Sequence, residues 1–439
     1  GAVSSVRHCN KSCAAMTSGR NGTGPDHRTR TMNHQRITFT LCLVEILALI
    51  GIATFPALLP TFIGAWQLSN TEAGWITAVY YAGYMFSVPV LVSVTDRLDA
   101  RRVVLLGALG GMISALGFAL FATGFWTAVL FRLLSGISLA GIYMPGLKLL
   151  GDHTEGALQS RYVSFYTASF SIGLSLSYLM AGEINTRFGW RWAFAVAALC
   201  ALCALLTAAR FLPPGTTRAA PATAGRWFDF KPVFATGTAL AFIFGYAAHM
   251  WELFSSRAWI VAFLTFSQGL QPASSVSFSA TRIAFLVGLI GLPASIAGNE
   301  LARMFGRKKT IMLIMSVSAL LCSLIGFSAS LPYAVVIGLC LLHAVTVVGD
   351  SAALTAGAVA AAPAGYRGAT LALHSTLGFG AAFLGPLTVG MVLDLFSSQM
   401  TVAWGMGYLT MAAGCALGPV FLLFFGRRKV PSAVRRPMV

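Results

Sequence analysis

Acidic, basic and imidazole side chains interrupt the long apolar runs of this 439-residue chain at a few positions. The main candidates for chemistry are Glu45, Arg132, His249, Glu252 and Asp350. A charged side chain in the middle of a membrane helix costs about 2.5 to 3.5 kcal/mol on insertion scales. We therefore expect each of them to face a protein interior or an aqueous cavity, where carboxylates and imidazoles could bind and release protons.

The densest polar cluster contains His249, Trp251, Glu252 and Arg257. His249 and Glu252 are three residues apart, which places them on one face of a helix, where an imidazole and a carboxylate can share a proton. We expect Glu252 to carry a proton with His249 as its partner, Arg257 to line a cavity, and Trp251 to be a cavity-wall or helix-packing aromatic. The competing interpretation is a buried structural hydrogen bond that involves His374.

Two further acids lie within apolar runs. Asp350 and His343 are seven residues apart and therefore share a helical face, which favours a cavity-lining role for both and makes Asp350 the second choice of proton carrier. Glu45 lies about two turns from the start of its run. Substrate binding and an ion pair at an inner gate are equally compatible with that position.

Two bases within these runs have a structural as well as a functional interpretation. Lys148 precedes Asp152 by four residues, so a structural pair near the end of a helix is favoured over a ligand contact. Arg132 is close enough to the end of its run to extend toward the membrane surface, yet it also begins the segment Arg132 to Gly136. The sequence leaves both roles open for Arg132.

Composition restricts the class of protein. Apolar residues make up 57% of the chain and charged residues only 10%, against roughly a quarter in a soluble domain. The net charge is +17, but the basic residues stand between apolar runs, which favours a membrane protein over a nucleic-acid-binding one. Motifs for nucleotide hydrolysis, zinc proteolysis or a nucleophilic serine are absent, and the cysteines are mostly in apolar runs. We therefore predict neither an enzyme nor a bound cofactor or metal.

The apolar runs predict twelve membrane-spanning helices, each long enough for a hydrocarbon core of about 30 Å. They cover residues 39–62, 73–95, 103–123, 126–150, 161–184, 191–212, 233–258, 282–301, 310–329, 333–360, 368–393 and 402–425. The predicted division is a polar, disordered tail (1–36), a six-helix bundle (37–212), a linker (213–232), a second six-helix bundle (233–426) and a basic tail (427–439).

Basic residues in the short loops predict the orientation. The loops that follow the even-numbered predicted spans, together with the adjoining span ends, carry Arg97, Arg101, Arg102, Arg161, Arg303, Arg307, Lys308, Lys309 and Arg367. The other side carries Arg187, Arg191, Arg257 and Arg282. Both tails and the linker are therefore expected in the cytoplasm.

An internal repeat supports the division into halves. Arg101-Arg102 and Arg307-Lys308 each begin the third span of their half. Two six-helix halves joined by a linker are typical of secondary transporters.

With these residues the chain resembles the major facilitator superfamily in its bacterial form. The joint from Asp96 and Arg97 to Arg101 and Arg102 is similar to that family's signature between helices two and three, although Val92 stands at the position of its first glycine and Asp99-Ala100 at that of its second. Arg132 to Gly136 is similar to its RxxxG element.

The resemblance implies that helices one, four, seven and ten line a central cavity, and the ionisable residues fall on those four. It also implies that Asp96 braces the two halves near Gly368, at the start of helix eleven.

These observations predict a monomeric secondary transporter of the inner membrane that moves a small polar solute by alternating access, coupled to protons. A downhill facilitator and a non-transporting sensor or embedded enzyme on the same fold are the alternatives.

Overall fold

The computed structural model describes residues 27–95, 97–154, 157–214, 229–272 and 278–426. Within these ranges all regular structure is helical. The helices are α1 (His27–Leu49), α2 (Thr54–Ala57), α3 (Leu59–Trp66), α4 (Asn70–Val94), α5 (Ala100–Phe121), α6 (Phe125–His153), α7 (Ala157–Phe188), α8 (Trp190–Phe211), α9 (Lys231–Phe234), α10 (Gly237–Gly269), α11 (Ala280–Phe305), α12 (Arg307–Gly326), α13 (Tyr333–Gly349), α14 (Ser351–Ala360), α15 (Arg367–Leu395) and α16 (Met400–Phe425).

Ten helical segments of the described chain are long and apolar enough to cross a membrane. They are α4 to α8, α11, α12, α13 together with α14, α15 and α16. The remaining two crossings are the interrupted series α1 to α3 and the 33-residue α10, whose middle carries polar side chains. The predicted all-helical fold of twelve spans in two bundles is confirmed.

Several predicted boundaries are wrong, because the apolar pattern does not report where a helix breaks or extends. The run 39–62 is interrupted after Leu49, and α1 begins at His27, inside the segment expected to be a tail. The run 233–258 continues to Gly269. Trp259, which lies just beyond the predicted end of this run, is therefore inside the helix and buried, and its indole N–H donates to the Pro386 carbonyl at 2.9 Å.

The run 333–360 is interrupted at Asp350, between α13 and α14. Gly298 of α11 explains the close packing there, because a Cβ at this position would overlap the carbonyl oxygen of Gly349. Only a glycine allows the two backbones to approach so closely.

The apolar core differs between the two ends of the molecule. We call the side on which α1 begins and α16 ends the termini face, and the other side the opposite face. Toward the opposite face one cluster joins α1–α8, the N-terminal half, to α9–α16, the C-terminal half; among its members are Phe62, Phe118, Trp259 and Trp404.

Toward the termini face each half has its own core. The N-terminal half packs around residues that include Leu41, Val104 and Leu149. The C-terminal half packs around residues that include Ile311, Leu354 and Leu422. The two halves therefore share a core at one end of the molecule and have separate cores at the other.

Candidate functional site

Buried ionisable side chains of the C-terminal half are bonded to one another. Glu252 of α10 and His343 of α13 form one pair, with 3.1 Å between Oε1 and Nε2. The hydroxyl of Ser318 on α12 donates to both carboxylate oxygens, at 3.0 and 3.1 Å. Glu252 is 1% exposed, so this carboxylate depends on its protein partners instead of water.

A second pair lies one helical turn earlier on α10. Nδ1 of His249 lies 2.8 Å from Oδ1 of Asp350. The expected pairing of His249 with Glu252 is therefore wrong, since each has its partner on the α13–α14 span. Helix spacing reports neighbours on one helix, whereas these partners are set by how α10 and α13 face each other.

His374 of α15 extends this cluster by stacking. Its ring lies 3.8 Å from that of Tyr246, which in turn lies 5.6 Å from the ring of His249. Nε2 of His374 lies 3.4 Å from the hydroxyl of Thr355. His374 thus stacks with the cluster through Tyr246, and the expected hydrogen bond linking it to the Glu252 segment is replaced by this ring contact.

Among the described residues, one group of neighbouring side chains has the types that can bind a metal ion: Glu252, Cys322 and His343. The Sγ of Cys322 and one ligand atom each of Glu252 and His343 lie within 4.8 Å of one another. Glu252 and His343 are bonded to each other, and the thiol donates to the carbonyl of Tyr408 at 3.5 Å. The arrangement satisfies its polar groups through protein contacts.

His343 also lines a cavity of about 20 Å³ between the halves. Arg257 and Ser256 of α10 line it, and Leu174 and Tyr178 of α7 contribute from the N-terminal half. Glu252 is not among the lining residues. His343 therefore lies between the cavity and the Glu252 carboxylate.

Arg257 and Trp251 have different surroundings although they lie on one helix. The Arg257 guanidinium lies 5.5 Å from the ring of Phe254, and Tyr178 donates its hydroxyl to the Arg257 carbonyl. Trp251 points toward α16, where its N–H donates to the Thr410 carbonyl at 3.1 Å. Of its two expected roles, the structure supports helix packing.

Glu45 and Arg132, the buried ionisable groups in the middle of the N-terminal half, are not paired with each other and have no charged partner among the described residues. Glu45 is fully buried and accepts a hydrogen bond from Ser169 of α7, while its second oxygen has no partner among the described residues. Arg132 is also buried, which excludes the expected extension toward the surface. Its Nη1 donates to the Ile52 carbonyl at 3.1 Å, and its guanidinium lies 4.4 Å from the centre of the Tyr80 ring.

Gly136 places Tyr80 beneath Arg132. A Cβ at position 136 would overlap the carbonyl oxygen of Tyr80, so α4 and α6 touch backbone to backbone. The spacing of Arg132 and Gly136 therefore puts a base beside a close helix contact.

Side chains in and near the loop between α4 and α5 form hydrogen bonds to helix ends. Lys148 donates to the Thr95 carbonyl at 2.6 Å and to the Thr95 hydroxyl at 3.1 Å, so it binds the end of α4 and not the expected Asp152. Such a cation at a helix C-terminus is favourable.

Within the same joint, Asp99 caps α5 by accepting from the backbone of Arg101 at 2.9 Å, and Arg101 donates to the Ala209 carbonyl. Arg97 and Arg102 are exposed. Asp96 lies outside the described residues, as do Trp227, most of the predicted linker and the predicted C-terminal tail.

Sequence reasoning missed a contact between the halves at the opposite face. Asp394, at the end of α15, accepts from the backbone N–H groups of Asn70 and Thr71 at 2.9 and 2.7 Å. It also accepts from both of their side chains. A carboxylate at the N-terminus of α4 is favourable, because that end of the helix carries unpaired N–H groups and a partial positive charge.

A second contact joins α7 to α11 at the same face. Glu183 lies 2.7 Å from Nε of Arg282, and a Cβ on Gly182 would touch the side chain of Thr281. In the sequence, Glu183 is an acid at the end of an apolar run. The candidates chosen from the sequence were ionisable residues farther inside the runs, so this contact was not predicted.

Comparison with known proteins places the chain in a family. The model described as Major Facilitator Superfamily matches residues 41–304. This chain belongs to the Major Facilitator Superfamily, as the resemblance predicted.

Two curated relatives illustrate the similarity. Protein spinster homolog 3 of Danio rerio is 26% identical over an alignment of 272 residues that covers 57% of this chain and 54% of that protein. Multidrug resistance protein 1 of Bacillus subtilis (strain 168) is 27% identical over 219 residues, 48% of this chain and 54% of that protein. The chain spans about half the length, or less, of the first curated relatives it matches.

Solved structures share the fold. A bacterial homolog of the human lysosomal transporter Spinster, inward-facing and unoccupied, superposes with a TM-score of 0.69 at 17% identity, covering 90% of this chain and 95% of that one. A D-xylose-proton symporter gives a TM-score of 0.72 at 17% identity, covering 89% and 97%. These relatives are multi-pass membrane transporters and not enzymes.

Proposed function

We propose that this protein is a secondary transporter that moves a small polar solute across the inner membrane by alternating access. The observation that carries the proposal is the asymmetry of the core, which is shared by both halves at the opposite face and separate in each half at the termini face. Halves joined at one end only can separate there and close at the other. The conformation described here is then the one open toward the termini face, which we assign to the cytoplasm.

The proposal is supported by the kinds of solute named for relatives. They include a D-xylose transporter of Levilactobacillus brevis, a nucleoside transporter and the multidrug resistance proteins. Because the proposed solute is small and polar, we take D-xylose and a nucleoside as the test panel.

We further propose that transport is coupled to protons through Glu252. Keeping a carboxylate charged away from water is costly unless a cation or hydrogen-bond donors stabilise it. His343 supplies such a partner at 3.1 Å and also lines the cavity between the halves. A proton can then pass from the cavity to His343 and on to Glu252. His249 and Asp350 form a second pair next to this route.

The test of coupling uses purified protein in lipid vesicles with an imposed pH gradient. Glu252→Gln should abolish gradient-driven accumulation of the transported panel solute but retain exchange of labelled for unlabelled solute, because exchange needs alternating access without net proton movement. Glu300→Gln is the matched control, since Glu300 is half-exposed and paired with Arg303 of its own helix. Accumulation by Glu252→Gln at the control level would contradict the proposal.

The test of alternating access locks the opposite face. Gly182→Cys with Thr281→Cys, in a background without the native cysteines, brings two thiols together across the α7–α11 contact between the halves. The unshifted Cβ atoms would lie 2.6 Å apart, below the roughly 3.5 to 4.5 Å of a disulfide, so the two helices must move apart by about 1 Å for the bond to form. Oxidation should stop flux and reduction should restore it. Full cross-linking with undiminished flux would show that the halves do not part at this face.

A further inference from the structure

Arg257 brings a positive charge into the cavity between the halves. Every residue of α10 from Glu252 to Leu264 is buried except Arg257, which is partly exposed and lines that cavity. It lies about three turns before the end of α10 at Gly269, well inside the span. A cation at such a depth is costly unless it faces water or a ligand. The guanidinium therefore belongs to the space in which a solute would be carried.

The Arg257 charge has no acid beside it among the described residues. The ionisable groups near enough to interact with it are Tyr178 of α7, Tyr81 of α4 and Tyr246 of α10, and a tyrosine is uncharged at neutral pH. The guanidinium also lies 5.5 Å from the centre of the Phe254 ring, which offsets only part of the lost hydration. Its N–H groups donate to no described residue and form a free donor set at the cavity.

The charges of the cavity wall favour an anion of single charge. Among the described residues, His343 is the other wall residue that can carry a positive charge, and it is bonded to Glu252. Arg257 can therefore balance one negative charge, and a second one would be buried without a counter-charge. The planar guanidinium matches a carboxylate, because both carboxylate oxygens can accept parallel N–H bonds. A monocarboxylate meets these conditions, and a dianion such as phosphate does not.

The rest of the wall fits a short, mostly apolar body. Two hydroxyls of the wall already donate to backbone carbonyls, that of Tyr178 to Arg257 and that of Ser256 to Leu253. The cavity has a volume of about 20 Å³ in this conformation, room for about one water molecule. Because α7 of the N-terminal half supplies one side of it, we expect the cavity to widen when the halves part. Most of the remaining wall is aliphatic and includes Leu174, Leu253, Ile260, Val287 and Val347.

We propose that this cavity binds a short-chain monocarboxylate, whose carboxylate accepts two hydrogen bonds from the N–H groups of Arg257 once the halves have parted enough to admit it. The proposal rests on the transport function proposed above and narrows its solute to an anion of single charge. Glu252 stays outside the binding contacts, because it is not part of the cavity wall.

The experiment measures the thermal unfolding midpoint of the purified protein in detergent while lactate replaces chloride at constant ionic strength. Lactamide, which has a similar shape without the charge, is added at the same concentrations as the neutral comparison. A ligand that binds only the folded state raises the midpoint as its concentration increases. Wild-type protein should show this rise with lactate and none with lactamide. Succinate, which carries two negative charges, should raise the midpoint less than lactate does.

Arg257→Gln should lose the lactate response, because it removes both the charge and the paired donors. The matched control is Arg303→Gln, which removes an exposed arginine of α11 in the same half and should keep the response. Arg257→Lys preserves the charge but not the planar pair of donors, so the apparent lactate affinity should fall roughly tenfold.

Val287→Phe tests the site if Arg257→Gln does not fold. The larger side chain fills the cavity from α11 and leaves the charge in place, so the lactate response should be lost. Its control is Val335→Phe on α13, which enlarges an exposed side chain of the same half and should keep the response.

Three results would overturn the proposal. They are a rise with lactate no larger than that with lactamide, a rise that is unchanged in a folded Arg257→Gln or in Val287→Phe, and a larger rise with succinate than with lactate. Failure of the transport function gives a different result. In that case lactate binding in detergent would still depend on Arg257, but vesicles would show no exchange of labelled for unlabelled lactate.

Discussion

The two halves of this transporter fold differ in the partners of their buried ionisable side chains. In the C-terminal half Glu252 and Asp350 each have an imidazole within 3.1 Å. In the N-terminal half Glu45 is bonded to the hydroxyl of Ser169, and Arg132 lies over the ring of Tyr80. Groups that can exchange a proton are thus together in one half, whereas the other half holds an acid and a base with separate neutral partners. Our proposal of proton coupling therefore concerns the C-terminal bundle alone.

Close backbone contacts stabilise both arrangements, and their loss should have the largest effect. Gly298→Ala directs a Cβ at the Gly349 carbonyl, and Gly136→Ala directs one at the Tyr80 carbonyl. Because backbone cannot move aside as a side chain can, each change should cost about 3 kcal/mol of folding free energy, the upper end of the usual range for overpacking. Thermal unfolding in detergent and the yield of folded protein measure it.

The control for these glycines is Gly338→Ala in α13, where an added Cβ meets open space. It should leave stability unchanged or slightly increased, since alanine favours a helix. If Gly298→Ala were as stable as this control, the close α11–α13 contact would not be what positions Asp350.

The two histidines should differ in their effect on coupling. His343→Gln removes the group between the cavity and Glu252, and we expect gradient-driven uptake to fall roughly tenfold or more, as for loss of a hydrogen bond to a charged group. His249→Gln should have a smaller effect, because His249 faces Asp350 and does not line the cavity. Initial uptake rates in vesicles distinguish them, and the reverse order would make Asp350 the main carrier.

Asp394→Asn should loosen the opposite face. The carboxylate caps α4 across the two halves, and loss of a helix cap costs about 0.5 to 2 kcal/mol. The population should therefore shift roughly tenfold toward the conformation open at that face. Labelling of a cysteine at Thr281 by a maleimide added on that side reports the shift.

Glu72→Gln is the matched control for this shift, since Glu72 belongs to the capping box with Ser69 on the same helix but within one half. It should cost stability without changing the labelling. Equal labelling of both variants would reduce Asp394 to a helix cap without a role in closing the face.

The smallest effect on transport is expected from Trp251→Phe. It removes one hydrogen bond to Thr410 and some packing against Gly414, so stability should fall by about 1 to 2 kcal/mol. Gradient-driven uptake should be unchanged, because the indole packs between helices. A strong loss of uptake at normal stability would contradict the helix-packing role and support a position of Trp251 in the cavity wall.

The sequence predicted the twelve-span fold and the helices that carry the buried charges, because apolar length and isolated charges are properties of single segments. It did not predict that His249 pairs with Asp350, since that contact depends on how two helices are rotated against each other. Asp394 was missed for a related reason, because its partners are backbone groups exposed only at the start of α4. The end of α10 at Gly269 was missed since Ser-rich sequence there is still helical.

The central claim is that the C-terminal half moves the proton and the N-terminal half does not. A pH-sensitive dye enclosed in vesicles measures proton movement when the transported solute is added without an imposed pH gradient. We predict solute-driven proton movement in wild-type protein and in Glu45→Gln, and none in Glu252→Gln. Proton movement that survives in Glu252→Gln and disappears in Glu45→Gln would contradict the account and move the coupling site to the N-terminal half.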